Sequence, residues 1–309
     1  MWRFSPVIAL RPTLALGLKY IFPEHVRTSA GRARALRALS APLRSPEASV
    51  RWVKFLHSND FAQELLRREP EFAFKPLVKY LSTSYQFPDR VRTLVSHYEF
   101  VTRQFSAAQL DSIHFGPGLL LAEFLGKSGV SYRVTLGTYG IRHDEGEMLL
   151  RLETSSRDTI CFAIFSVGAS PQGALRVELG SIQGSPRSLA AITKIATRDF
   201  NSTRPKHLLM TILCHFAWAC HIDSIVCVST RAQLSYREAS NTFLADYDSL
   251  WEELGGERQR SGFFSLPLPF ARQAAAKGAT THRTRQRRRA KLKAEIFGLL
   301  EQNLAGRPS

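Results

Sequence analysis

Three stretches decide the fold: ALRVELGSIQG at residues 174–184, RPKHLLMTILCHFAWAC at residues 204–220 and IVCVS at residues 225–229. The first and third are short runs rich in apolar and β-branched residues, which is typical of strands. The second is apolar on nearly all sides, so it predicts a deeply buried helix. A strand, a buried helix and another strand predict a parallel crossover, which is right-handed in nearly all sheets.

An antiparallel meander is predicted before this crossover. Three runs rich in β-branched and large apolar residues precede residue 174: Ser131–Leu136, Glu147–Glu153 and Thr159–Val167. Turn-forming residues separate these runs at 143–146 and 155–158. Because short connections join antiparallel neighbours, the four strands are expected to follow one another in a meander.

Composition and periodicity divide the chain into four regions. We expect a basic N-terminal arm over 1–46, a helical region over 47–128, an α/β body over 129–270 and a basic C-terminal tail with a terminal helix over 271–309. The predicted fold class is therefore α+β. A helical N-terminal third precedes a central antiparallel-to-mixed sheet with a buried crossover helix.

The positive charge is concentrated at the two ends of the chain. The net charge is +16, of which residues 1–50 contribute +6 (8 basic, 2 acidic) and residues 271–309 contribute +8 (10 basic, 2 acidic). Basic ends suit an anionic surface, either membrane phosphate or nucleic acid, although they also serve solubility. No nucleic-acid-binding motif is present and the tail lacks interleaved aromatic residues, so specific nucleic-acid binding is not expected.

Cysteine usage and hydropathy indicate an intracellular protein. The cysteines Cys161, Cys214, Cys220 and Cys227 each lie in an apolar context, which favours buried thiols over a disulfide framework. The Cys-His pairs lack the spacing of a metal site, so no metal is predicted. No apolar run approaches the ~20 residues of a membrane span. We expect a cytoplasmic protein whose basic ends would allow peripheral binding to the inner membrane.

A set of motifs in a fixed order resembles the bacterial VirK/YbjX family. Its most specific blocks are Gly180–Gly184, Arg204–Lys206 and Ala245–Gly256, and the set closes at Gly262–Pro267. The resemblance implies a role in the bacterial envelope: antimicrobial-peptide resistance, surface-protein display and virulence. Family members commonly carry a basic cluster before the acidic block, and residues 235–242 of this chain largely lack it.

The element order is similar to that of GNAT-type acyltransferases, in which the strand before the helix splays from its neighbour and acyl-CoA phosphates lie at the helix N-terminus. A helix N-terminus binds phosphate through its free backbone N–H groups. The candidate acyl-CoA residues are Gln183, Gly184, Arg187, Arg204 and Lys206. The chain departs from the GNAT phosphate loop, Gln/Arg-x-x-Gly-x-Gly/Ala, and places an additional helix before Arg204.

Structural roles for the same residues remain open. Arg204 and Lys206 could solvate a helix start and form an ion pair with Asp199 or Asp223. Gly180 and Gly184 could serve backbone geometry at a strand end.

The densest acidic block of this basic protein supplies the catalytic candidates. Asp246, Tyr247 and Glu252 lie within it; a carboxylate could act as general base toward an amine or hydroxyl, with tyrosine as the acid. The block could instead stabilise a helix N-terminus through the helix dipole or pair with the basic tail.

Three function hypotheses follow, the third being nonspecific nucleic-acid binding through the basic tail. The first is an envelope-stress protein with a GNAT-like body that transfers an acyl group to a lipid or surface molecule. The second is a noncatalytic adaptor that docks on anionic lipid or an acidic partner and chaperones a surface protein.

Overall fold

The centre of the computed structural model is an eight-stranded mixed sheet. Its strands are β1 (Leu119–Leu125), β2 (Ser131–Gly137), β3 (Met148–Thr154), β4 (Thr159–Ala169), β5 (Leu175–Gly184), β6 (Ser224–Val228), β7 (Glu257–Arg258) and β8 (Phe263–Leu266). They lie side by side in the order β1-β2-β3-β4-β5-β6-β8-β7. The predicted α+β class and mixed sheet are confirmed.

The structure describes residues 40, 42–140, 143–185, 190–235, 246–259, 261–266, 268 and 280–305. Most of the basic N-terminal arm and the first part of the C-terminal tail, 271–279, lie outside the described residues. Among the helices that are described, none combines the length and apolar character needed to cross a membrane.

Eight α-helices are described around the sheet. They are α1 (Pro46–Ser58), α2 (Asp60–Arg68), α3 (Phe87–Gln104), α4 (Ala107–Phe115), α5 (Ala190–Asp199), α6 (Pro205–Ala219), α7 (Tyr247–Glu253) and α8 (Thr280–Leu304). A 3-10 helix over Pro70–Leu77 lies between α2 and α3. Asn59 and Ser106 cap α2 and α4 by accepting backbone N–H groups, as short polar residues do at helix starts.

Strands β1 to β5 form an antiparallel meander, as predicted. The sheet begins at Leu119, within the stretch expected to be helical. Strand β1 reads Leu-Leu-Leu-Ala-Glu-Phe-Leu and lacks the alternation of a half-buried strand. It lies in the sheet because it pairs with β2 and because α8 covers it.

The crossover from β5 to β6 is parallel, and helices α5 and α6 form the connection. Helix α6 contacts strands β3 to β6 on one face of the sheet, where Phe216 meets the ring of Phe165 at 5.9 Å. Helix α3 packs on β4 from the opposite face, where His97 accepts the backbone N–H of Val167. The predicted buried crossover helix is therefore confirmed, with helices on both faces of the sheet.

Helix α8 closes the described part of the chain. Its apolar residues Leu292, Ile296 and Leu300 are buried, and the helix contacts β1 and α6. Arg283, Arg285, Arg287, Arg288 and Lys291 are exposed. One side of the tail is thus part of the core and the other presents positive charge to solvent.

Candidate functional site

Strand β5 has two halves with different neighbours on the β6 side. Residues Arg176–Leu179 pair with Ser224–Cys227 in a parallel ladder. The ladder ends there, yet β5 continues to Gly184 and remains paired with β4. We call the side of Gly180–Gly184 that faces away from β4 the β5 edge. Such an edge leaves backbone groups that need other partners.

A β-bulge at Gly180 lies where the two halves meet. Ile164 pairs with Ser181 and Phe165 pairs with Leu179, so Gly180 is the extra residue. The segment before β3 crosses this point so closely that a Cβ on residue 180 would lie 1.9 Å from the backbone oxygen of Glu145. Residue 180 must therefore be glycine, for packing within the strand rather than for geometry at its end.

Three side chains satisfy the backbone groups of the β5 edge. The amide of Gln233 donates to the buried Gly180 carbonyl at 2.7 Å. The ammonium group of Lys206 lies 3.5 Å from the Ile182 carbonyl. The hydroxyl of Tyr247 meets the Ile182 backbone N–H. Side chains therefore bond the backbone at this edge, whereas a backbone ladder pairs the first half of the strand.

The start of helix α7 fixes Tyr247 at this edge. The backbone N–H of Tyr247 donates to the Thr230 hydroxyl at 3.1 Å, and the Thr230 N–H donates to Asp248 at 2.6 Å. Trp251 is fully buried and donates from Nε1 to the Val228 carbonyl at 3.0 Å. Burial raises the pKa of Tyr247 well above its ordinary value, and nearby Glu145 adds to the shift. Tyr247 is therefore a protonated phenol at neutral pH.

Helix α6 brings Lys206 to the edge and directs Arg204 away from it. Lys206 is half-buried, and this burial lowers the pKa of its ammonium group. Arg204 is exposed and pairs with Glu253 at 3.3 Å, so a pairing with Asp199 or Asp223 is not what the structure shows. Arg204 occupies the N-cap position of α6 without a capping side-chain bond, which leaves the first backbone N–H groups of the helix uncapped.

The remaining predicted residues divide between the edge and the surface. Gln183 and Gly184 lie on the edge, at its outer end. Asp246 is exposed and caps α7 by accepting the Ser249 N–H, and Glu252 is exposed on the same helix. Asp246 therefore has the predicted role at the start of the helix, whereas Glu252 lies in its last turn, where the helix dipole does not favour a negative charge. Arg187 lies outside the described residues.

The other proposed partner of the acidic block was the basic tail. The ion pairs that the structure gives for the block join Glu253 to Arg204 and His207, and Asp248 to Arg258. The described tail residues do not take part in these pairs, because α8 docks on β1 and α6.

Two residues of the site were not predicted from the sequence. Glu145 accepts the Ser181 hydroxyl at 2.7 Å and lies 3.4 Å from the Gln183 amide. The sequence indicated only a turn at 143–146, because the contact depends on the loop crossing β4 to reach β5. Gln233 follows β6 in a loop that carries no motif, so the sequence gives no signal for it. Its role is visible only in the structure, where this polar side chain is 1% exposed and therefore needs a hydrogen-bond partner.

A buried polar cluster anchors the Glu145 loop. Lys75 and Glu147 form an ion pair at 2.8 Å, with side chains 1% and 3% exposed. Tyr98 donates to the other oxygen of Glu147, and Tyr80 meets Ser166 at 2.5 Å. A buried pair of this kind is costly to break from one side. It holds the segment that carries Glu145 against the sheet.

Two of the four cysteines lie beside this edge, because Cys161 pairs with Gly184 and Cys227 pairs with Leu179. All four cysteines are free and buried. Burial raises the pKa of Cys161 to about 12, so that thiol is not a nucleophile at neutral pH. In the described part of the chain, no group of three or more side chains has the composition of a metal site.

Comparison with known proteins gives the family. The chain matches the family described as "Protein of unknown function (DUF535)" over residues 29–301. It is 26% identical to the uncharacterized protein YbjX of Escherichia coli K12 over 249 residues, which cover 79% of this chain and 75% of that protein. The chain therefore belongs to the DUF535 family, which is the YbjX/VirK family that its motifs resemble.

Proposed function

We propose that this protein transfers an acyl group from acyl-CoA to an acceptor at the β5 edge. One observation carries the proposal: the β5–β6 ladder ends at Leu179 and Cys227, and beyond it, among the residues that the structure describes, side chains bond the backbone of Gly180 and Ile182. An extended chain with amide groups can replace such side chains by adding to the strand edge. The pantetheine arm of CoA is a chain of this kind.

The topology supports the same proposal. A meander, a parallel crossover through a buried helix, and the order β5-β6-β8-β7 agree with the GNAT-like arrangement expected from the sequence. The uncapped N-terminus of α6 faces the same region through Lys206, and a helix N-terminus favours phosphate groups. Lys206 and Arg204 would add positive charge for the phosphates of CoA.

The side chains at the edge can perform the proton transfers of acyl transfer. The thioester supplies the acyl group, whose carbonyl carbon forms a bond to the acceptor nitrogen or oxygen as the carbon–sulfur bond breaks. Glu145 can take the proton of the acceptor, and Tyr247 can give its phenolic proton to the departing sulfur. Solvent exchange then restores both groups, so that protons balance over the cycle.

We propose an envelope lipid or surface molecule as the acceptor, in line with the role that the family resemblance implies. The exposed side of α8, which carries Arg283, Arg285, Arg287, Arg288 and Lys291, would hold the protein at an anionic membrane. Each such residue contributes roughly 1 kcal/mol near an anionic bilayer. Acylation that lowers the attraction of the envelope for cationic peptides would explain antimicrobial-peptide resistance.

Calorimetric titration with CoA, acetyl-CoA and palmitoyl-CoA tests the proposal. The wild-type protein is expected to bind saturably, and the double variant Arg204→Ala/Lys206→Ala to bind at least tenfold more weakly. The matched control Lys54→Ala/Arg103→Ala removes the same two charges from exposed positions on α1 and α3, and is expected to bind like wild type. Tyr247→Phe should keep binding and lose transfer. Absence of binding by folded wild-type protein would overturn the proposal.

The second candidate function is the noncatalytic adaptor. The observation that favours it is that the β5 edge already has partners. Gln233, Lys206 and Tyr247 contact its backbone groups, and Arg204 is ion-paired with Glu253. A protein of this kind would bind vesicles containing phosphatidylglycerol through α8 and show no response to acyl-CoA. Vesicle co-sedimentation beside the calorimetry distinguishes the two functions.

A further inference from the structure

A polar cavity lies on the face of the sheet that carries α3 and α4. Its volume is about 370 Å³, and glycines form much of its wall, among them Gly118 and Gly137. Arg151, Glu153 and Arg157 supply its charged lining. We call it the Arg151 cavity. Neither the proposed acyl-CoA edge nor the basic face of α8 includes any of its residues.

Arg151 is under-satisfied for a guanidinium that is only 28% exposed. Among the described residues it makes one hydrogen bond, a long one of 3.4 Å to the Pro117 carbonyl, and its buried Nε forms an ion pair with Glu153 at 3.4 Å without a hydrogen bond. Arginine carries five N–H donors and needs acceptors for them when it is buried. Glu153 accepts the Thr135 hydroxyl at 3.0 Å through Oε2, and within the described part of the chain its Oε1 faces only the Nε of Arg151. The guanidinium therefore has donors to spare at the cavity.

The glycines make room for an acceptor group beside this guanidinium. A Cβ on Gly118 would lie 3.3 Å from a terminal nitrogen of Arg151, and a Cβ on Gly137 would lie 3.6 Å from the same atom. Arg157 adds a second positive charge to the lining of the cavity. Two cations against one carboxylate leave the lining with a net positive charge.

The cavity lies in line with the β5 edge. Arg151 pairs with Phe162, and Phe162 pairs with Gln183, so the three residues stand side by side on one face of β3, β4 and β5. Neighbouring strands are about 4.8 Å apart, which puts Arg151 roughly 10 Å from Gln183. Gln183 is the residue whose amide approaches Glu145.

We propose that the Arg151 cavity binds an anionic group, a phosphate or a carboxylate, and that this group belongs to the acceptor of the acyl transfer. The acceptor would carry its nucleophile roughly 10 Å from the anion, over Phe162 and near Glu145. The assignment to the acceptor rests on the proposed acyl transfer, whereas the anion site does not.

Titration of the full-length protein with inorganic phosphate and with acetate, followed by NMR, tests the anion site. At least one of the two anions is expected to bind saturably and to shift signals of the cavity residues. Arg151→Gln should weaken that binding about tenfold or more, since charge-assisted hydrogen bonds are lost. Arg157→Asn removes the second positive charge and should also weaken binding. Residue 157 is exposed and has a left-handed backbone, a conformation that asparagine tolerates. Arg133→Gln, on the neighbouring strand and outside the cavity lining, should leave it unchanged.

The outcomes separate the anion site from its role in acyl transfer. Equal binding by wild type, Arg151→Gln and Arg157→Asn, or no saturable binding of either anion, would overturn the anion site. Vesicles of phosphatidylcholine with phosphatidylglycerol, tested with the same variants, separate a lipid headgroup from a soluble anion. Anion binding without acyl-CoA binding would keep the cavity and reject its role in acyl transfer, and acyl-CoA binding without anion binding would reject the cavity alone.

Discussion

The two halves of strand β5 are held on the β6 side by different means. Residues 176–179 are paired with β6 by a backbone ladder, while residues 180–184 depend on side chains from a loop and two helices. A ladder cannot be exchanged for a ligand without loss of the fold, but a side-chain cap can move. The same strand thus serves as scaffold in one half and as a binding edge in the other.

The largest effect is expected from releasing the loop that crosses the junction of the halves. Lys75→Met removes the partner of buried Glu147 and should lower the free energy of unfolding by about 3–5 kcal/mol. Urea denaturation measures the loss. Lys79→Met makes the same change at an exposed position nearby and should have little effect. Equal stability of the two variants would show that the buried pair does not anchor the loop.

A methyl group at the bulge tests the junction itself. Gly180→Ala would drive a Cβ into the Glu145 carbonyl and should cost about 3 kcal/mol or more, with displacement of Glu145 from Ser181. Gly184→Ala, in the same strand, meets only the Lys206 side chain at ordinary distance and should cost little. Chemical denaturation of both variants provides the comparison, and a stable Gly180→Ala would contradict the close crossing.

Removing one cap sharpens the contrast between the halves. Gln233→Leu leaves the buried Gly180 carbonyl without its donor and should cost about 1–3 kcal/mol. Gln183→Leu changes an exposed side chain on the same strand and should fall within about 0.5 kcal/mol of wild type. Thermal unfolding distinguishes them; a loss no greater for Gln233→Leu than for Gln183→Leu would mean that water replaces the cap.

A pH dependence at Lys206 is the smallest expected effect. Burial lowers the pKa of Lys206 in the folded protein below the 10.5 of the unfolded chain. Between these two values the unfolded state binds more protons, so stability rises with pH across this window and the cost of burying the charge is relieved. Lys206→Met should lack this increment in denaturation experiments from pH 8 upward. An unchanged slope would show that Lys206 is more hydrated than its position indicates.

The sequence was sufficient where a signal is local. The pattern of apolar residues within each segment was enough to predict the meander and the crossover. The runs of β2 to β5 are rich in β-branched residues, and α6 is apolar on nearly all sides. Lys206 was predicted as a site residue because it lies at the start of a helix, and Tyr247 because it lies in the densest acidic block of the chain. Strand β1 was not predicted because its apolar run lacks the alternation of apolar and polar residues that identifies a strand.

The remaining parts of the site depend on three-dimensional contacts. Glu145 reaches Ser181 across β4, and no spacing along the chain encodes that crossing. The bulge at Gly180 is a property of the β4–β5 register, which one glycine in the sequence does not reveal. Arg204 pairs with Glu253 on α7, which lies 49 residues later in the sequence, so no local pattern predicts this contact.

The most direct test of the binding edge is amide-resolved NMR of the protein titrated with acetyl-CoA. Saturable shifts at Gly180, Ile182, Gln183 and the start of α7, with the amides of 176–179 unmoved, are the predicted result, because the ligand would displace caps and leave the ladder intact. No shift at the edge of a folded protein, or shifts confined to the basic face of α8, would contradict the assignment of the β5 edge as an acyl-CoA site.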